Sequence, residues 1–383
     1  MKQIKILDTT LRDGEQSPGC WFSNEDRLTL ACLLEEIGVD IIEVGFPVVS
    51  QSIRNSIKAI ASRVNSSQLC CLCRSRKSDI DVAMSVLDKV DNPRLHIFLA
   101  TSDLHLKHKL EIKHDEALDQ IVKVIEYAKQ FTDDIQFSAE DATRSDRTFL
   151  SSVFSAAIAA GATTIGIADT VGYALPKEMV ALIDHLNSYV LGIATVDISV
   201  HCHNDLGMAT ANSLACLDAY IDQIECTVNG IGERAGNTAL EEVATAIKTR
   251  EKHLGCYTTI LLDKLRHLSQ WVETHSGLVV QANKAIVGKN AFTHESGIHV
   301  DGLIQCEKTY ESIDRKMLGI DEFSMVLGRQ SGRQSFKYYL KVIGVTLTLP
   351  QFAHAYDLFK ELADSKPVVS RSDIERILKF IKS

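Results

Sequence analysis

The stretch from Ile135 to His201 sets the rhythm of the whole chain. It reads IQFS (135–138), DRTFLSSVFSAAIAA (146–160), TIGI (164–167), PKEMVALIDHLNSY (176–189) and ISVH (198–201). The short runs are apolar in the manner of strands buried on both faces. The long runs carry a helical period, and Pro176 sits where a first helical turn tolerates proline. Extended outward, the alternation predicts further strands at Ile4–Asp8, Ile41–Val44, Leu69–Leu72, Leu95–Leu99 and Gln223–Thr227. Helices are expected at Ser23–Ile37, Gln51–Ala61, Asp79–Leu87, Glu116–Gln130, Ala209–Ala219 and Asn237–Thr249. Ser23, followed three residues later by Asp26, is a candidate cap for the first of them.

Eight strand–helix units in about 250 residues have the size of a (β/α)8 TIM barrel, here residues 1–265. An open doubly wound sheet is the rival. It would more often stop near five or six strands, and no GxGxxG follows the first strand here. Past residue 265 the strand rhythm ends. Leu262–His275, Leu349–Ser365 and Asp373–Ile381 read as helices, so residues 266–383 form a mainly helical accessory region.

Composition narrows the class. Hydrophobic residues are 45% of the 383 and charged residues 24%, as in packed globular proteins. Fifty acidic residues against 41 basic ones leave a net charge of −9, which argues against nucleic acid or an anionic membrane as partner. No apolar run approaches the roughly 20 residues of a membrane helix. The opening MKQIKILDTTLRDGEQ shows no basic-plus-apolar leader. Ten scattered cysteines suggest reduced thiols, hence a cytoplasmic enzyme.

In such a barrel, chemistry sits at the C-terminal strand ends. The first strand runs into Asp8-Thr9-Thr10-Leu11-Arg12-Asp13-Gly14-Glu15-Gln16. A surface salt-bridge network would explain any one of these charges, but not the whole cluster at a barrel mouth. The seventh strand ends in His201-Cys202-His203-Asn204-Asp205, and alternation puts His201 and His203 on one face with Cys202 on the other. Two imidazoles facing an acidic strand end can share one metal ion. Nitrogen and carboxylate donors without thiolate suit Mg2+ or Mn2+, with Zn2+ as the alternative. The Asn229–Asn237 loop, rich in glycine, follows the eighth strand and offers Asn237 as a neutral oxygen ligand. Ser138–Arg144 and Asp169–Gly172 bring further polar groups to the mouth. His294-Glu295-Ser296-Gly297-Ile298-His299 is a second compact His/Glu group, for which an inter-helix polar network is the competing reading. Cys70, Cys71 and Cys73 read as small packing residues on a buried strand. His105, His108 and His114 read as solvated, with a place at the active-site entrance as the alternative.

Leu11–Gln16, His201–Gly207, Asn229–Asn237 and His294–His299, in that order and spacing, resemble the metal-dependent acyl-CoA condensing enzymes of the 2-isopropylmalate synthase and homocitrate synthase family. The resemblance covers essentially the whole chain and implies condensation of acetyl-CoA with a 2-oxo acid. By resemblance, Asp13, His201 and His203 hold a divalent metal, with Asn237 completing or bordering the shell. Arg12, Glu140, His294 and Tyr310 are then the catalytic residues. Substrate binding falls to Arg12, Gln16, Arg74, Arg144 and Thr170. Thr170 would take the oxo acid's carboxylate, and Arg74 and Arg144 are the cations that a distal carboxylate would need. The resemblance also implies a homodimer in which His294 reaches the neighbouring subunit's site.

Gly45–Val48, Leu99–Asp103 and Phe137–Asp146 look most like the isopropylmalate synthases, which take 2-oxoisovalerate on the route to leucine. Val300, Cys73-Arg74 and Arg329-Gln330 depart from their pattern, the first two toward homocitrate synthases, which take 2-oxoglutarate. A leucine-sensing C-terminal regulatory domain is not expected in these 383 residues. Acyl-CoA lyases and aldolases share the Arg-Asp and His-x-His pairs, but the long His294–Ser383 tail speaks against them. A catalytically inert scaffold is disfavoured by intact residues in all four motifs.

Overall fold

The computed structural model describes residues 1–321 and 324–382. Glu322, Phe323 and Ser383, the last residue of the expected accessory region, lie outside the described residues. Eight parallel strands close into a barrel in chain order: β1 (Lys5–Asp8), β2 (Ile41–Glu43), β3 (Gln68–Arg74), β4 (Arg94–Ala100), β5 (Ile135–Glu140), β6 (Thr164–Asp169), β7 (Asp197–Cys202) and β8 (Gln223–Cys226). Strand β1 seals the ring by pairing with both β2 and β8. Each strand expected from the sequence is present.

Around the ring lie α1 (Asn24–Glu36), α2 (Gln51–Ala61), α3 (Lys77–Leu87), α4 (His114–Ala128), α5 (Arg147–Ala160), α6 (Pro176–Tyr189), α7 (Ala209–Ala215) and α8 (Leu240–Leu254). Ser23 caps α1 through a reciprocal capping box with Asp26. Two helices differ from expectation. The seventh stops at Ala215 and tightens into a 3-10 turn, Cys216–Ala219. The eighth begins at Leu240 instead of Asn237, because Asn237 and Ala239 stay extended to bridge His203 and Thr227. That extension holds Asn237 beside the histidine pair.

Successive residues of a strand face opposite ways, and the two files here differ sharply. The outer file is apolar: Phe137 meets Phe154 of α5 edge-on, at 6.4 Å between ring centroids. The inner file carries buried polar residues beside an apolar cluster of Leu7, Ile41 and Cys70. Arg94 on β4 reaches Gln223 on β8, and Gln136 on β5 reaches Glu225 on β8. These strands are not ladder neighbours, so the bonds cross the barrel interior. Gly166 belongs to this file, and a Cβ there would lie 1.9 Å from Ser138 Oγ.

The chain divides into two compact units, Met1–Val280 and Gln281–Ser383. The first includes α9 (Leu265–Ser276), whose Trp271 stacks on Phe22. The second contains α10 (Gly297–Gln305), α11 (Arg333–Val342), α12 (Leu349–Ser365), α13 (Arg371–Lys382) and a parallel pairing of Thr293–His294 with Ser324–Met325. Its core is built around Phe336 stacked on Phe359 at 4.9 Å. Helices α10 and α11 are not foreshadowed by the sequence pattern. Gly297 and Gly302 weaken the helical signal of the first, and the glycine-rich stretch before Arg333 hides the start of the second.

Candidate active site

The inner file delivers its last side chains to the C-terminal mouth, where they line a cavity of about 300 Å³. After β1 the chain turns through a 3-10 segment, Gly14–Gln16, that leaves Arg12 and Asp13 at the rim. Arg12 is clamped between two carboxylates, Glu43 and Asp13, each at 2.5 Å. Asp13 Oδ1 accepts from Asn237 Nδ2 at 2.9 Å. Asp13 Oδ2 lies 3.6 Å from His201 Nε2 and 3.8 Å from His203 Nε2, and those two nitrogens are 3.2 Å apart. All three side chains are buried.

The electrostatics match the geometry. Burial works to raise the Asp13 pKa, but Arg12 and the two imidazoles outweigh it and hold the carboxyl well below its usual range. Burial likewise opposes charge on His201, yet the hydrogen bond and charge of Glu225 raise its pKa above the ordinary value. His203 is pushed down to about 4 by burial and by the neighbouring His201.

Donors of one divalent ion at about 2.1 Å in adjacent positions stand about 3 Å apart. Asp13, His201 and His203 come close to that spacing, and they form one of two clusters among the described residues with metal-ligand character. His203 Nδ1 and Asn237 Oδ1 are buried without a hydrogen-bond partner, which leaves polar capacity at this point. A divalent cation that accepts both imidazole nitrogen and carboxylate oxygen fits the donor set. The other cluster, Glu43, Cys70 and His96, is already engaged: Glu43 holds Arg12 and His96 Nδ1, and His96 Nε2 bonds Ser138 Oγ.

The remaining expected residues divide in two. Gln16, Glu140 and Thr170 line the cavity. Thr170 Oγ1 accepts from the Asp141 backbone N–H at 2.9 Å, so its own hydrogen is free for a ligand. Glu140 pairs with Lys109 Nζ at 2.5 Å and faces His105 at 3.5 Å. His105 thus borders the mouth, the alternative raised for that histidine run, while His114 pairs with Asp103 at the surface. Arg74 and Arg144 are not brought to the cavity. Arg74 is bound to Asp79 and Arg144 to Asp141, each through two hydrogen bonds from the guanidinium. In the second unit His294 is largely buried, 3.5 Å from Glu311, and Tyr310 stacks on His299 at 4.2 Å.

Sequence reasoning missed Glu43, Glu225, His96 and Lys109. A signal existed for three of them: Glu43, Glu225 and His96 are ionisable residues within or at the end of runs that read as buried strands. Lys109 sits on a π-helical turn, Leu106–Leu110, ended by Glu111 at φ 56°, and no local pattern announces it.

The HMGL-like family model matches residues 3–272, and the model described as homocitrate synthase post-HMGL domain-like matches residues 286–367. The chain belongs to the HMGL-like family. The 2-isopropylmalate synthase of Dictyoglomus turgidum is 47% identical to it over 378 residues, 99% of this chain and 75% of that one. That of Pyrococcus furiosus is 46% identical over 377 residues, 98% and 76% of the two chains. Among solved structures, the HMG-CoA lyase of Bacillus subtilis superposes with a TM-score of 0.62 at 21% identity, covering 72% of this chain and 95% of that one. The Brucella melitensis HMG-CoA lyase gives 0.62 at 18%, covering 72% and 100%. At these identities the likeness speaks for the barrel fold.

Proposed function

We propose that the chain condenses acetyl-CoA with 2-oxoisovalerate and, with water, releases 2-isopropylmalate and CoA. The relatives' identity over nearly the full chain supports the reaction class, and the cavity wall supports the substrate. Phe46, Leu72, Phe98 and Ala168 offer an apolar face to a branched side chain. The cations lining the cavity already face carboxylates: Arg12 meets Glu43 and Asp13, Lys109 meets Glu140, and Arg234 meets Asp205. That apolar wall is the observation that carries the reading.

Asp13, His201 and His203 would hold the divalent metal, Mg2+ or Mn2+, with Asn237 bordering it. When bound, that ion supplies Lewis acidity to the keto oxygen of a chelated oxo acid. Arg12 faces the oxygen on which negative charge develops. Thr170 donates its hydroxyl hydrogen to the oxo acid's carboxylate, and Gln16 lines the same wall. Glu140, held by Lys109, and His294 share the proton transfers at the thioester methyl, with Tyr310 assisting.

We place the enzyme in the cytoplasm. Supporting this, all ten cysteines are free, and no helix among the described residues is long and apolar enough to cross a membrane. The region after 265 completes the active site within a homodimer, so mixed His294→Ala and Asp13→Ala chains should regain activity. Absence of complementation would overturn that arrangement.

The substrate is tested by following free thiol from acetyl-CoA over a panel of 2-oxoisovalerate, 2-oxoglutarate, pyruvate and a bulky aromatic oxo acid. Metal-dependent release greatest with 2-oxoisovalerate is expected. Preference for 2-oxoglutarate would establish the homocitrate reading instead. Release of an oxo acid from a hydroxyacyl thioester would point to a lyase.

A further inference from the structure

Below the candidate metal site a buried hydrogen-bond chain runs through the barrel interior, and its direction is set at one end. Arg94 can only donate. Its Nη1 gives to Gln223 Oε1 at 2.7 Å and Gln136 Oε1 at 3.3 Å. Both amides must therefore turn their nitrogens onward. Gln223 Nε2 donates to Ser199 Oγ at 2.9 Å, and Gln136 Nε2 donates to Glu225 Oε1 at 2.6 Å. Ser199, already accepting from Gln223, passes its own hydrogen to Glu225 Oε1 at 2.9 Å.

Two donors thus converge on one oxygen of Glu225, a residue only 1% exposed. The other oxygen, Oε2, stands 3.1 Å from His201 Nδ1. We propose that Glu225 is a positioning residue that keeps the His201 proton on Nδ1, so that Nε2 presents its lone pair toward Asp13 and His203. The carboxylate has acceptors only, and the chain from Arg94 gives its other oxygen two donors. His203 has no such guide, since its Nδ1 lacks a hydrogen-bond partner. The presetting therefore falls on one histidine of the pair. Outer partners of this kind fix ring orientation and ligand basicity.

This inference rests on the metal reading above, and the test separates the two. In the metal-free protein, at a pH high enough for the His201 ring to be neutral, 15N signals of the histidine side chains should show its one proton on Nδ1. Glu225→Gln would aim an N–H at one of the three donors whichever way its amide turned. Glu225→Asp keeps the charge but draws the oxygen away from Nδ1. Both should weaken Mn2+ binding, followed by the EPR signal of free Mn2+, by about 10- to 100-fold. In Glu225→Gln the His201 tautomer should also become mixed. Mn2+ affinities within about twofold of the parent, or a neutral parent His201 carrying its proton on Nε2, would overturn the proposal. The parent's tautomer alone decides it where a variant fails to fold. A parent with the expected tautomer that bound no Mn2+ would sink the metal reading and leave the assignment of the proton standing.

Discussion

The two files of the barrel strands share one backbone and one degree of burial, yet they are built from different chemistry. On β5, Phe137 is wholly buried outward against Phe154, while Gln136 is as deeply buried on the inner side and Ser138 nearly so. The outer file gains from removing apolar surface from water, a non-directional force that tolerates exchange of one aliphatic residue for another. The inner file survives burial only because its polar groups find partners: Glu43 with Arg12 and His96, and Glu225 with Gln136, Ser199 and His201. Stability is thus concentrated outside the strands, and chemistry inside.

Substitutions should break that division in opposite directions. Removing a proposed metal ligand of the inner file, His201→Ala, is expected to lower metal-dependent thiol release by about 10³-fold or more, since Lewis-acid assistance is worth several kcal/mol. The melting temperature should fall by less than in the outer-file deletion that follows, because Glu225 loses one buried partner but keeps Gln136 and Ser199. Removing an outer ring, Phe137→Ala, should destabilise the fold by about 3–5 kcal/mol in urea unfolding. Activity per folded molecule should stay within a few-fold of the parent. An inner variant that unfolded, or an outer variant that stayed stable but inactive, would contradict the contrast.

Asp8 is the exception that sharpens the comparison. It ends β1 fully buried, bonded to the Thr10 N–H and hydroxyl at 2.9 Å each, without a cationic partner among its principal interactions. Burial raises its pKa from 3.8 to about 7, against the two Thr10 hydrogen bonds, with Glu241 and Glu43 adding to the rise. A carboxyl whose folded pKa lies above its unfolded value favours the fold when protonated. Its contribution is therefore complete below about pH 4 and is lost as the pH climbs through 7, with an upper bound of about 4 kcal/mol. Asp8→Asn should flatten the decline in stability between pH 4 and pH 8, read from chemical denaturation at each pH. Parallel pH profiles for the two proteins would show that Asp8 does not titrate in this way.

The same division explains what could be read from the chain. Short apolar runs alternating with helix-period segments made all eight strands and the order of the units legible, with ends displaced by a few residues. The Asp13, His201 and His203 cluster was legible too, because alternation along a strand and the strand-end rule both point to it. The inner polar chain was not. Gln136, Ser199 and Gln223 gain meaning only from partners across the barrel, and no local pattern encodes those. Asn237 shows the limit from the other side: the helical period extended the eighth helix over it, whereas its bridge to His203 holds it extended.

Arg74 and Arg144 test how far charge at a strand end implies a role inside. Arg74 ends β3 and Arg144 follows β5, and both were expected at the substrate, yet each guanidinium is spent on a nearby aspartate, Asp79 and Asp141. Arg74 also lies over the Phe46 ring at 5.7 Å, so its reach toward the cavity is through that ring's packing and not its charge. Partly exposed pairs of this kind are worth about 1 kcal/mol or less. Arg74→Ala and Arg144→Ala should then alter the KM for 2-oxoisovalerate by no more than about fivefold, the free-energy equivalent of that bound, with kcat nearly unchanged. Arg74→Ala should have the larger effect of the two, because Phe46 lines the cavity and loses its cover. A loss of kcat in Arg144→Ala would mean that the Asp141 turn also steadies Thr170, whose hydroxyl oxygen accepts from the Asp141 N–H, and the line between inner and outer chemistry would have to be drawn one residue further out.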